Sequence, residues 1–348
     1  MIALGIGLLA ASGLVQAYTF CVASSADLQA ALDQSSDGGP YNGEDNTIMV
    51  VQNAGSATYS TGAATGGGPF RYINTAMTGA LTLGGGYNSD CSVRTLKAAL
   101  TVLDGDHLTP VLAITSAAAN INVTGLTIQD GESTLPGAGL AINSDNTESS
   151  QVLVEENIIR NNHTTSYGAG LAAYSGGTGV PMFVEKNLIV GNSADVTDGA
   201  GYVQSNDGDL RLFNNTIVGN TASGTTGGLQ CFSGAAAQIW NNIFWNNSNN
   251  GLYAVALGPP PTVSFAYNDF DAWLGPSPQT NVYNISQDPL FVDAAHGDFH
   301  LRGISPAIAA AAYTTISPDV EGNATPLGGN MDMGAYEETV FTNAFDGG

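Results

Sequence analysis

Apolar and polar residues alternate in a set of short segments that recurs along the chain every 26–30 residues. Each segment is centred on an asparagine, with apolar side chains five and three positions before it and two positions after it. The segments read VLVEENIIRNN, MFVEKNLIVGN, LRLFNNTIVGN, AQIWNNIFWNN and VSFAYNDFDAW, and are centred on Asn157, Asn187, Asn215, Asn242 and Asn268. Alternation of this kind predicts β-strands with one buried face.

A second set of positions recurs between these segments, where a glycine precedes an apolar or aromatic residue. The pairs are Gly139-Leu140, Gly170-Leu171, Gly201-Tyr202, Gly228-Leu229 and Gly251-Leu252. This alignment predicts a second strand in each repeat and places Tyr202 in one column with Leu140 and Leu171. A unit of this size cannot bury its own apolar face, but stacked units bury it and pair every strand with the next. The pattern predicts an all-β fold, a right-handed parallel β-helix or solenoid.

Asparagines at equivalent positions of successive repeats are expected to form internal columns. Stacked asparagine side chains hydrogen-bond to one another and to the turn backbone, so the interpretation is structural rather than functional. The two columns contain Asn157, Asn187, Asn215 and Asn242, continued by Asn268, and Asn162, Asn192, Asn220 and Asn247. An earlier copy of the repeat keeps the alternation but puts Leu126 in the first column.

The N-terminal end of the solenoid is expected to be covered by a short helix. Ser24 and Asp27 fit a capping box before Leu28, Ala31 and Leu32, which predicts an amphipathic cap helix over residues 24–34. The predicted organisation is a signal peptide (1–17), an N-terminal cap with early coils (18–110), regular coils (111–285), a C-terminal region (286–338) and a tail (339–348).

Residues 1–17 have the features of a secretory signal. Their apolar run is too short to span a bilayer, and Val15-Gln16-Ala17 is an acceptable small-residue cleavage site. No Lys or Arg precedes the run, which is compatible with a start codon further upstream, and a buried N-terminal strand is the alternative interpretation. The expected localisation is therefore secreted or at the cell surface.

Three cysteines add to this picture. Export permits a disulfide, and Cys21 and Cys91, which flank the N-terminal region, are the predicted pair. Cys231 occupies a repeat position that Ile142 and Ala173 hold elsewhere, so it is expected to be a buried free thiol.

The charge balance limits the partners. The 348 residues include 7 Lys and Arg against 30 Asp and Glu, a net charge of −23. Nucleic acid and anionic membranes are attracted by basic surfaces, so neither is an expected partner. Polyuronates fit poorly unless Ca²⁺ bridges the two anions. No segment after the signal is long and apolar enough to cross a membrane, and the chain is expected to be a monomer.

Particular stretches resemble known bacterial proteins. The pattern from Gly191-Asn192-Ser193-Ala194 to Gly199-Ala200-Gly201 is similar to polymorphic outer-membrane protein repeats, and residues 21–268 resemble right-handed β-helix proteins of the pectin-lyase-like superfamily. The C-terminal stretches QDPLFV, SPAI and DMGAYE resemble the choice-of-anchor Q domain of surface proteins. The resemblance implies export and surface display. It does not imply one chemistry, because this fold hosts lyases, hydrolases and adhesins.

The outward positions of the strands supply the candidate functional face. Glu155, Glu185, Phe213 and Trp240 stand two positions before successive column asparagines, and alternation directs them outward. Stacked carboxylates about 5 Å apart match the separation found in retaining glycosidases, so Glu155 and Glu185 are candidate catalytic residues. Aromatic faces stack on sugars, so the candidate ligand-binding residues are Phe213, Trp240, Arg211 and Trp245. The alternative is a solvated carboxylate pair with the aromatic rings covered by a loop or by the C-terminal region.

Other chemistry has weaker support in the sequence. Polysaccharide lyases need basic residues, but the seven Lys and Arg do not share a column, and Lys186 is expected to form a surface ion pair with Glu156. The four histidines are scattered, and His296 and His300 are expected to serve turns. Calcium is a candidate cofactor at the acidic turns, although simple Asp-Gly turns also explain them. The candidate metal ligands are Asp104, Asp106, Asp207 and Asp209.

Two classes of function remain. The first is an exported, surface-associated, non-catalytic β-helix that binds a polysaccharide or another cell-surface component through its lateral face. The second is a carbohydrate-active enzyme, either a polysaccharide lyase or a glycoside hydrolase. The scarcity of basic residues and the lack of a recognisable catalytic set favour the first class.

Overall fold

The computed structural model describes residues 17–53, 58–117, 120–145, 151–177, 179–256, 262–314, 318–327 and 330–338. The expected signal peptide lies outside these ranges apart from Ala17, and the expected tail at 339–348 lies wholly outside them. Within them the chain is an all-β solenoid of about 8 turns whose successive coils stack in parallel, as the sequence predicted. No helix of the described ranges combines the length and apolar character needed to cross a bilayer.

Each regular coil contributes one strand to each of three long sheets, which we name A, B and C. Sheet A contains, in stacking order, the described strands Ala17–Val22, Asp45–Val51, Leu81–Tyr87, Ile121–Thr124, Val152–Glu155, Met182–Glu185, Leu210–Phe213, Ala236–Trp240, Thr262–Ala266 and Thr280–Val282. Sheet B contains Tyr59–Ser60, Val102–Asp104, Thr127–Gln129, Ile158–Arg160, Leu188–Val190, Thr216–Val218, Ile243–Trp245 and Asp269–Phe270. Sheet C contains Phe70–Asn74, Leu112–Ser116, Leu140–Ser144, Leu171–Ser175, Gly201–Ser205, Leu229–Ser233, Leu252–Ala256 and Trp273–Leu274.

Short elements complete the coils. A small parallel sheet, sheet D, follows sheet B in four coils and contains the described strands Glu132–Ser133, His163–Thr164, Ser193–Ala194 and Thr221–Ala222. An antiparallel hairpin in the C-terminal region pairs Phe291–Asp293 with Asp298–Leu301. Single 3₁₀ turns lie at Gly62–Ala64, Ala98–Leu100 and Ala294–His296.

The N-terminal helix spans Ser25–Ser35, which agrees with the predicted cap helix to within one residue. Ser24 is the N-cap, and its Oγ accepts the backbone N–H of Asp27 at 3.1 Å, because this hydroxyl satisfies a donor that the first helical turn leaves free. Leu28, Ala31 and Leu32 are buried in the same cluster as the solenoid core. Close by, a disulfide joins Cys21 on the edge strand of sheet A to Cys91, while Cys231 is a free, buried thiol.

The core runs through the inside of the coils as columns of like side chains. The inward column of sheet A stacks Val152, Met182, Leu210, Ala237 and Val263, all of them buried. The positions five before each central asparagine therefore point inward, as the alternation predicted.

One column differs from the predicted alignment. Gly201 pairs with Leu171 in sheet C, so the column of Leu140 and Leu171 continues through Gly201 and then Leu229, not through Tyr202. Because side chains alternate between the two faces of a strand, this shift of one residue turns Tyr202 from the core to the outer surface. The assignment of Tyr202 to the Leu140 column was wrong.

The C-terminal region packs across the outer surface of sheet B. Phe299, Val320 and Tyr336 form an apolar cluster with Ile158 and Leu188 of that sheet. A second cluster joins Met331, Met333 and other C-terminal side chains to Ile243. Sheet B is therefore apolar on both faces, which parallel strands covered on both sides require. Sheets A and C keep outward faces for other contacts.

Candidate functional site

Two asparagine columns at the corners of sheet B fix which side chains face outward. At the corner with sheet A, the backbone N–H and Nδ2 of Asn157 both donate to Oδ1 of Asn187, at 3.0 and 3.2 Å. Successive members repeat this arrangement: Asn187, Asn215, Asn242, Asn268 and finally Asn284. The second column repeats it through Asn162, Asn192, Asn220 and Asn247.

These asparagines are part of the scaffold and do not face a ligand. Asn157, Asn187 and Asn215 have 0% of their surface exposed, and Nδ2 of Asn215 also donates to the carbonyl of Val184 at 2.7 Å. Each amide thus satisfies backbone groups that a tight corner would otherwise leave unpaired.

The carboxylate pair of sheet A lies where the alternation placed it. Glu155 and Glu185 are directly paired residues of neighbouring strands, and both are half-buried. Burial, with a smaller effect from the charge of Glu155, raises the pKa of Glu185 to about 7. Neighbouring strands lie about 4.8 Å apart, so a carboxyl that is partly protonated at neutral pH stands beside a second carboxyl.

The aromatic residues of this face, Phe213 and Trp240, are largely occupied by contacts with neighbouring side chains. Phe213 is only 8% exposed and stacks against Trp240, with ring centroids 5.5 Å apart and planes 13° apart. The indole Nε1 of Trp240 donates to Ser264 Oγ at 3.1 Å. Arg211 is exposed, and its guanidinium lies 4.7 Å from the ring centroid of Phe183. Phe213 therefore offers little accessible surface, and Trp240 and Arg211 are the more accessible of the candidate ligand-binding residues on this face.

Trp245 lies elsewhere. It is the last residue of a sheet B strand, and it packs, half-buried, against the apolar clusters that sheet B forms with the C-terminal region, so it does not join Trp240 on one face. The alternative interpretation placed such a cover over Phe213 and Trp240, whereas the apolar clusters place the C-terminal region over Trp245 of sheet B.

Lys186 is not a surface residue. It is 1% exposed, occupies a left-handed corner position with φ 52°, and donates from Nζ to Thr325 Oγ1 at 2.8 Å. No carboxylate of the described residues lies within 4.0 Å of its Nζ. The predicted surface ion pair with Glu156 was wrong, because the C-terminal region covers this corner. Burial lowers the pKa of Lys186 to about 8.

The four candidate calcium ligands are not brought together. Asp104 accepts the backbone N–H of Asp106 and the amide of Gln129, at 2.8 and 2.7 Å. Asp207 and Asp209 lie in a different coil, and Asp209 accepts the backbone N–H of Ala236 at 3.2 Å. Within the described ranges, no group of three or more His, Cys, Asp or Glu side chains is placed to hold a metal ion. Turn hydrogen bonding accounts for Asp104 and Asp209.

The outer face of sheet C carries a groove that the sequence did not predict, with a volume of about 380 Å³. Its floor is a column of three half-buried alanines, Ala113, Ala141 and Ala172. The walls are lined by three tyrosines, Tyr167, Tyr174 and Tyr202. We call this feature the tyrosine groove. The small floor residues leave space between larger neighbours, which makes this stretch of a sheet surface concave.

Hydrogen bonds hold the tyrosine groove in one arrangement. Tyr202 donates through Oη to Gln204 Oε1, and Gln204 Nε2 donates to Asn206 Oδ1 at 2.6 Å. Asn206 Nδ2 in turn donates to the Oη of Tyr174 at 2.7 Å. Burial raises the pKa of Tyr202 to about 12, so its hydroxyl stays protonated at neutral pH. The wall side chains are thereby oriented before any ligand arrives, which lowers the entropic cost of binding.

Aromatic rings continue beyond the groove along the same sheet. Tyr202 lies 5.3 Å from Tyr167 and 5.7 Å from Phe232, and Phe232 lies 5.9 Å from Tyr253, measured between ring centroids. The row crosses several coils in the direction of the solenoid axis.

Charge distinguishes the tyrosine groove from the rest of the surface. Its lining contains no Asp, Glu, Lys, Arg or His among the described residues, although the chain has 30 Asp and Glu. The polar lining groups are neutral: Thr115, Asn143, Gln204 and the tyrosine hydroxyls. An apolar concave surface with a few neutral polar groups is the usual form of a small-ligand site.

The tyrosines of this groove were present in the sequence pattern, but the alignment placed one of them in the wrong column. Tyr174 and Tyr202 were visible in the sequence, and the alignment of glycines assigned Tyr202 to the buried column. Aligning Ser144, Ser175, Ser205 and Ser233, which the structure stacks in one column, gives the correct register. The column of alanines that Tyr202 continues, Ala113, Ala141 and Ala172, gave no signal by itself.

Comparison with known proteins gives no relative from which a site could be transferred. No model of a protein family matches the chain, and neither a curated protein nor a solved structure matches it. Function is therefore inferred from the side chains of this chain alone.

Proposed function

We propose that this chain is an exported, surface-associated, non-catalytic β-solenoid that binds a neutral glycan through its lateral face at the tyrosine groove. The observation that carries the proposal is the combination of an alanine floor with Tyr167, Tyr174 and Tyr202 as walls. Pyranose rings have apolar C–H faces and hydroxyl edges. Tyrosine rings pack against the C–H faces of a sugar, and the amide groups of Asn143 and Gln204 can hydrogen-bond to its hydroxyl groups.

The charge of the chain favours a neutral ligand over an anionic one. A net charge of −23 repels polyuronates and other polyanions, and the groove has no cationic side chain among its described lining residues to offset this repulsion. A neutral oligosaccharide avoids that cost. The row of rings along the solenoid axis also favours an extended chain over a single sugar.

Export and surface association have their own support. The Cys21–Cys91 disulfide is of a kind that persists in oxidising compartments outside the cytoplasm. The resemblance to pectin-lyase-like β-helices, to polymorphic outer-membrane protein repeats and to choice-of-anchor Q regions fits the same location. Membership of that superfamily and the surface anchor remain part of this proposal.

The test compares variants of the full chain by isothermal titration calorimetry with neutral hexasaccharides of glucose, mannose, xylose and N-acetylglucosamine. We expect binding of at least one, with Tyr202→Ala weakening it about tenfold or more through loss of a stacking face. The exposed Tyr313 lies outside the groove lining, so Tyr313→Ala is the matched control. Binding of none of the four sugars, or unchanged affinity in Tyr202→Ala, overturns the groove as the site.

Sheet A supplies the competing outcome. If Trp240→Ala abolishes sugar binding and Tyr202→Ala does not, the lateral site is the face of Trp240 and Arg211 instead. The same variant pair therefore separates the two faces in one experiment.

One observation favours a second candidate function, that of a glycoside hydrolase. Glu185, with a pKa of about 7, is paired with Glu155 on the neighbouring strand, and the usual strand spacing of about 4.8 Å is close to the carboxyl separation of retaining enzymes. In that case the protein releases reducing ends from a glycan, and Glu185→Gln abolishes the release. Absence of any product from a polysaccharide panel, at protein concentrations that give saturated binding, excludes this function for those substrates.

A further inference from the structure

A separate cavity of about 510 Å³ lies between the outer face of sheet B and the C-terminal region. It shares no lining residue with the tyrosine groove. Ile158, Leu188 and Val190 of sheet B form one apolar wall, and Phe299 and Tyr336 of the C-terminal region form the opposite one. The volume is in the range of cavities that hold small organic molecules.

Arg160 lines this cavity, and its charge acts on nearby Asp130, where it opposes the rise in pKa that burial causes. Its side chain is exposed, and its Nε and Nη2 both donate to Oε1 of Gln129, at 2.9 and 2.6 Å. Within the described ranges no carboxylate lies within 4.0 Å of its guanidinium. Other arginines of the described residues also bond to neutral groups, such as Arg94 and Arg302, but Arg160 is the one that lines this cavity. The contact fixes one edge of the guanidinium fork and leaves donors of the other edge for a ligand.

The other charged groups around the cavity are already paired with one another. His300 is held between Asp298 and Glu321, with ring nitrogens 2.8 and 3.3 Å from the carboxylate oxygens. Glu321 also forms an ion pair with Lys97 at 3.0 Å. His296, at the rim, pairs with Asp293 at 2.7 Å. Among the described lining residues, Arg160 is therefore the cationic group that has no carboxylate within 4.0 Å.

We infer that this cavity binds a small organic acid, with its single carboxylate on the guanidinium of Arg160 and its apolar body between sheet B and the C-terminal region. A planar carboxylate fits the two-pronged geometry of a guanidinium better than a spherical anion does. One carboxylate is the appropriate number, because Asp298 and Glu321 nearby would repel a second. Tyr336, whose ring lies 4.3 Å from that of His300, presents an aromatic face to the body of the ligand.

The experiment uses phenylacetate and its neutral isostere phenylacetamide as probes, measured by isothermal titration calorimetry on the full chain. We expect phenylacetate to bind at least about tenfold more tightly than phenylacetamide, and Arg160→Gln to remove that preference. Arg71→Gln is the matched control, because it removes an equally exposed positive charge that does not line the cavity. Arg160 is exposed, so its replacement is expected to leave the melting temperature unchanged.

A second variant tests the apolar part of the site. Val190→Phe is expected to fill the cavity and to weaken both probes, whereas Tyr202→Ala is expected to weaken neither. Equal affinity for the two probes, no binding of phenylacetate at millimolar concentration, or full binding by Arg160→Gln overturns the inference. None of these outcomes depends on glycan binding at the tyrosine groove.

Discussion

Asn215 shows what a single corner residue does in this molecule. It is fully buried; its Oδ1 accepts both donors of Asn187, and its own backbone N–H and Nδ2 donate to Oδ1 of Asn242. An unpaired buried polar group costs about 1–3 kcal/mol, so each such amide is required by its neighbours above and below. The asparagine column is therefore cooperative, and no member of it is free to bind a ligand.

Replacing Asn215 by alanine tests this interpretation. Both donors of Asn187 lose their acceptor, so we expect the free energy of unfolding to fall by about 4 kcal/mol. Asn143→Ala, at an exposed position of sheet C, is the control and is expected to change it by about 0.5 kcal/mol or less. Urea unfolding followed by circular dichroism measures both. A loss of less than about 1 kcal/mol in Asn215→Ala would show that water or a relaxed backbone replaces the amide.

How much of the candidate site could be predicted depended on whether the correct strand register could be read from the sequence. The outward positions of Glu155, Glu185 and Trp240 followed from alternation alone, because the asparagine of each segment fixed the register of sheet A. In sheet C the glycine alignment slipped by one residue at Gly201, and with it Tyr202 was assigned to the core. Glycine gives a weak register signal because it is compatible with a corner as well as with a strand interior.

At the scale of elements, the corner between sheets A and B is the attachment line for the C-terminal region. Three corner residues with positive φ, Lys186, Asn214 and Asn241, each bond to it through their side chains. Asn241 is bonded twice, donating to the carbonyl of Ala312 at 3.0 Å and accepting its N–H at 2.9 Å. Side chains at a left-handed corner point away from the coil, so a covering segment can bond to them without disturbing the strands.

Asn241→Ala is therefore expected to loosen the C-terminal region and to leave the coils intact. The reasons are the two lost hydrogen bonds to Ala312 and the poor fit of alanine to a φ of 62°. Limited proteolysis is expected to cut within residues 286–338 several-fold faster, with the strand signal in circular dichroism unchanged. Asn249→Ala, at an exposed corner with the same φ, is the control. Equal cleavage rates in the variant and the wild type would contradict this role.

Elements with a local sequence signal were predictable, and those without one were not. The stacked strands and the cap helix each have a local signal, namely alternation or a capping box. The C-terminal region has no internal period, so its position over sheet B could not be read from spacing. The burial of Lys186 and the partial burial of Trp245 beneath it were missed for this reason, since both lie at positions that a bare solenoid would expose.

For the whole molecule, buried carboxyls predict that stability falls as pH rises towards neutrality. Burial raises the pKa values of Glu156, Asp198 and Glu337 to about 7 and that of Asp269 to about 6. A carboxyl with a raised pKa in the folded state binds more protons there than in the unfolded state. Its stabilising contribution is therefore complete below about pH 4 and is lost as pH rises through about 7. Self-repulsion of a chain with a net charge of −23 acts in the same direction.

We expect the melting temperature to be higher at pH 5 than at pH 7.5. Glu156→Gln is expected to reduce this difference in melting temperature. The buried Glu156, 3% exposed, contributes on the order of 3 kcal/mol to the difference in the free energy of unfolding between low and neutral pH. Asp207→Asn, at an exposed position, is the control. Above about pH 8 Lys186 has the opposite effect and raises stability with pH. Its pKa is lowered in the folded state, so the buried ammonium loses its proton while the unfolded chain still keeps it. A melting temperature that rises from pH 5 to pH 7.5 would contradict the expectation.

The stacking order of sheet A is also the order of its strands along the chain. A coil can therefore join the stack as soon as it is synthesised or emerges from a translocation channel, and no later coil has to enter between two earlier ones. Growth begins at the helix-covered end, and each new rung finds its template already formed. The C-terminal region bonds back to Lys186, Asn214 and Asn241, so it can close only after those coils exist. Folding of this molecule is thus expected to be vectorial, with the lateral cover as its last step.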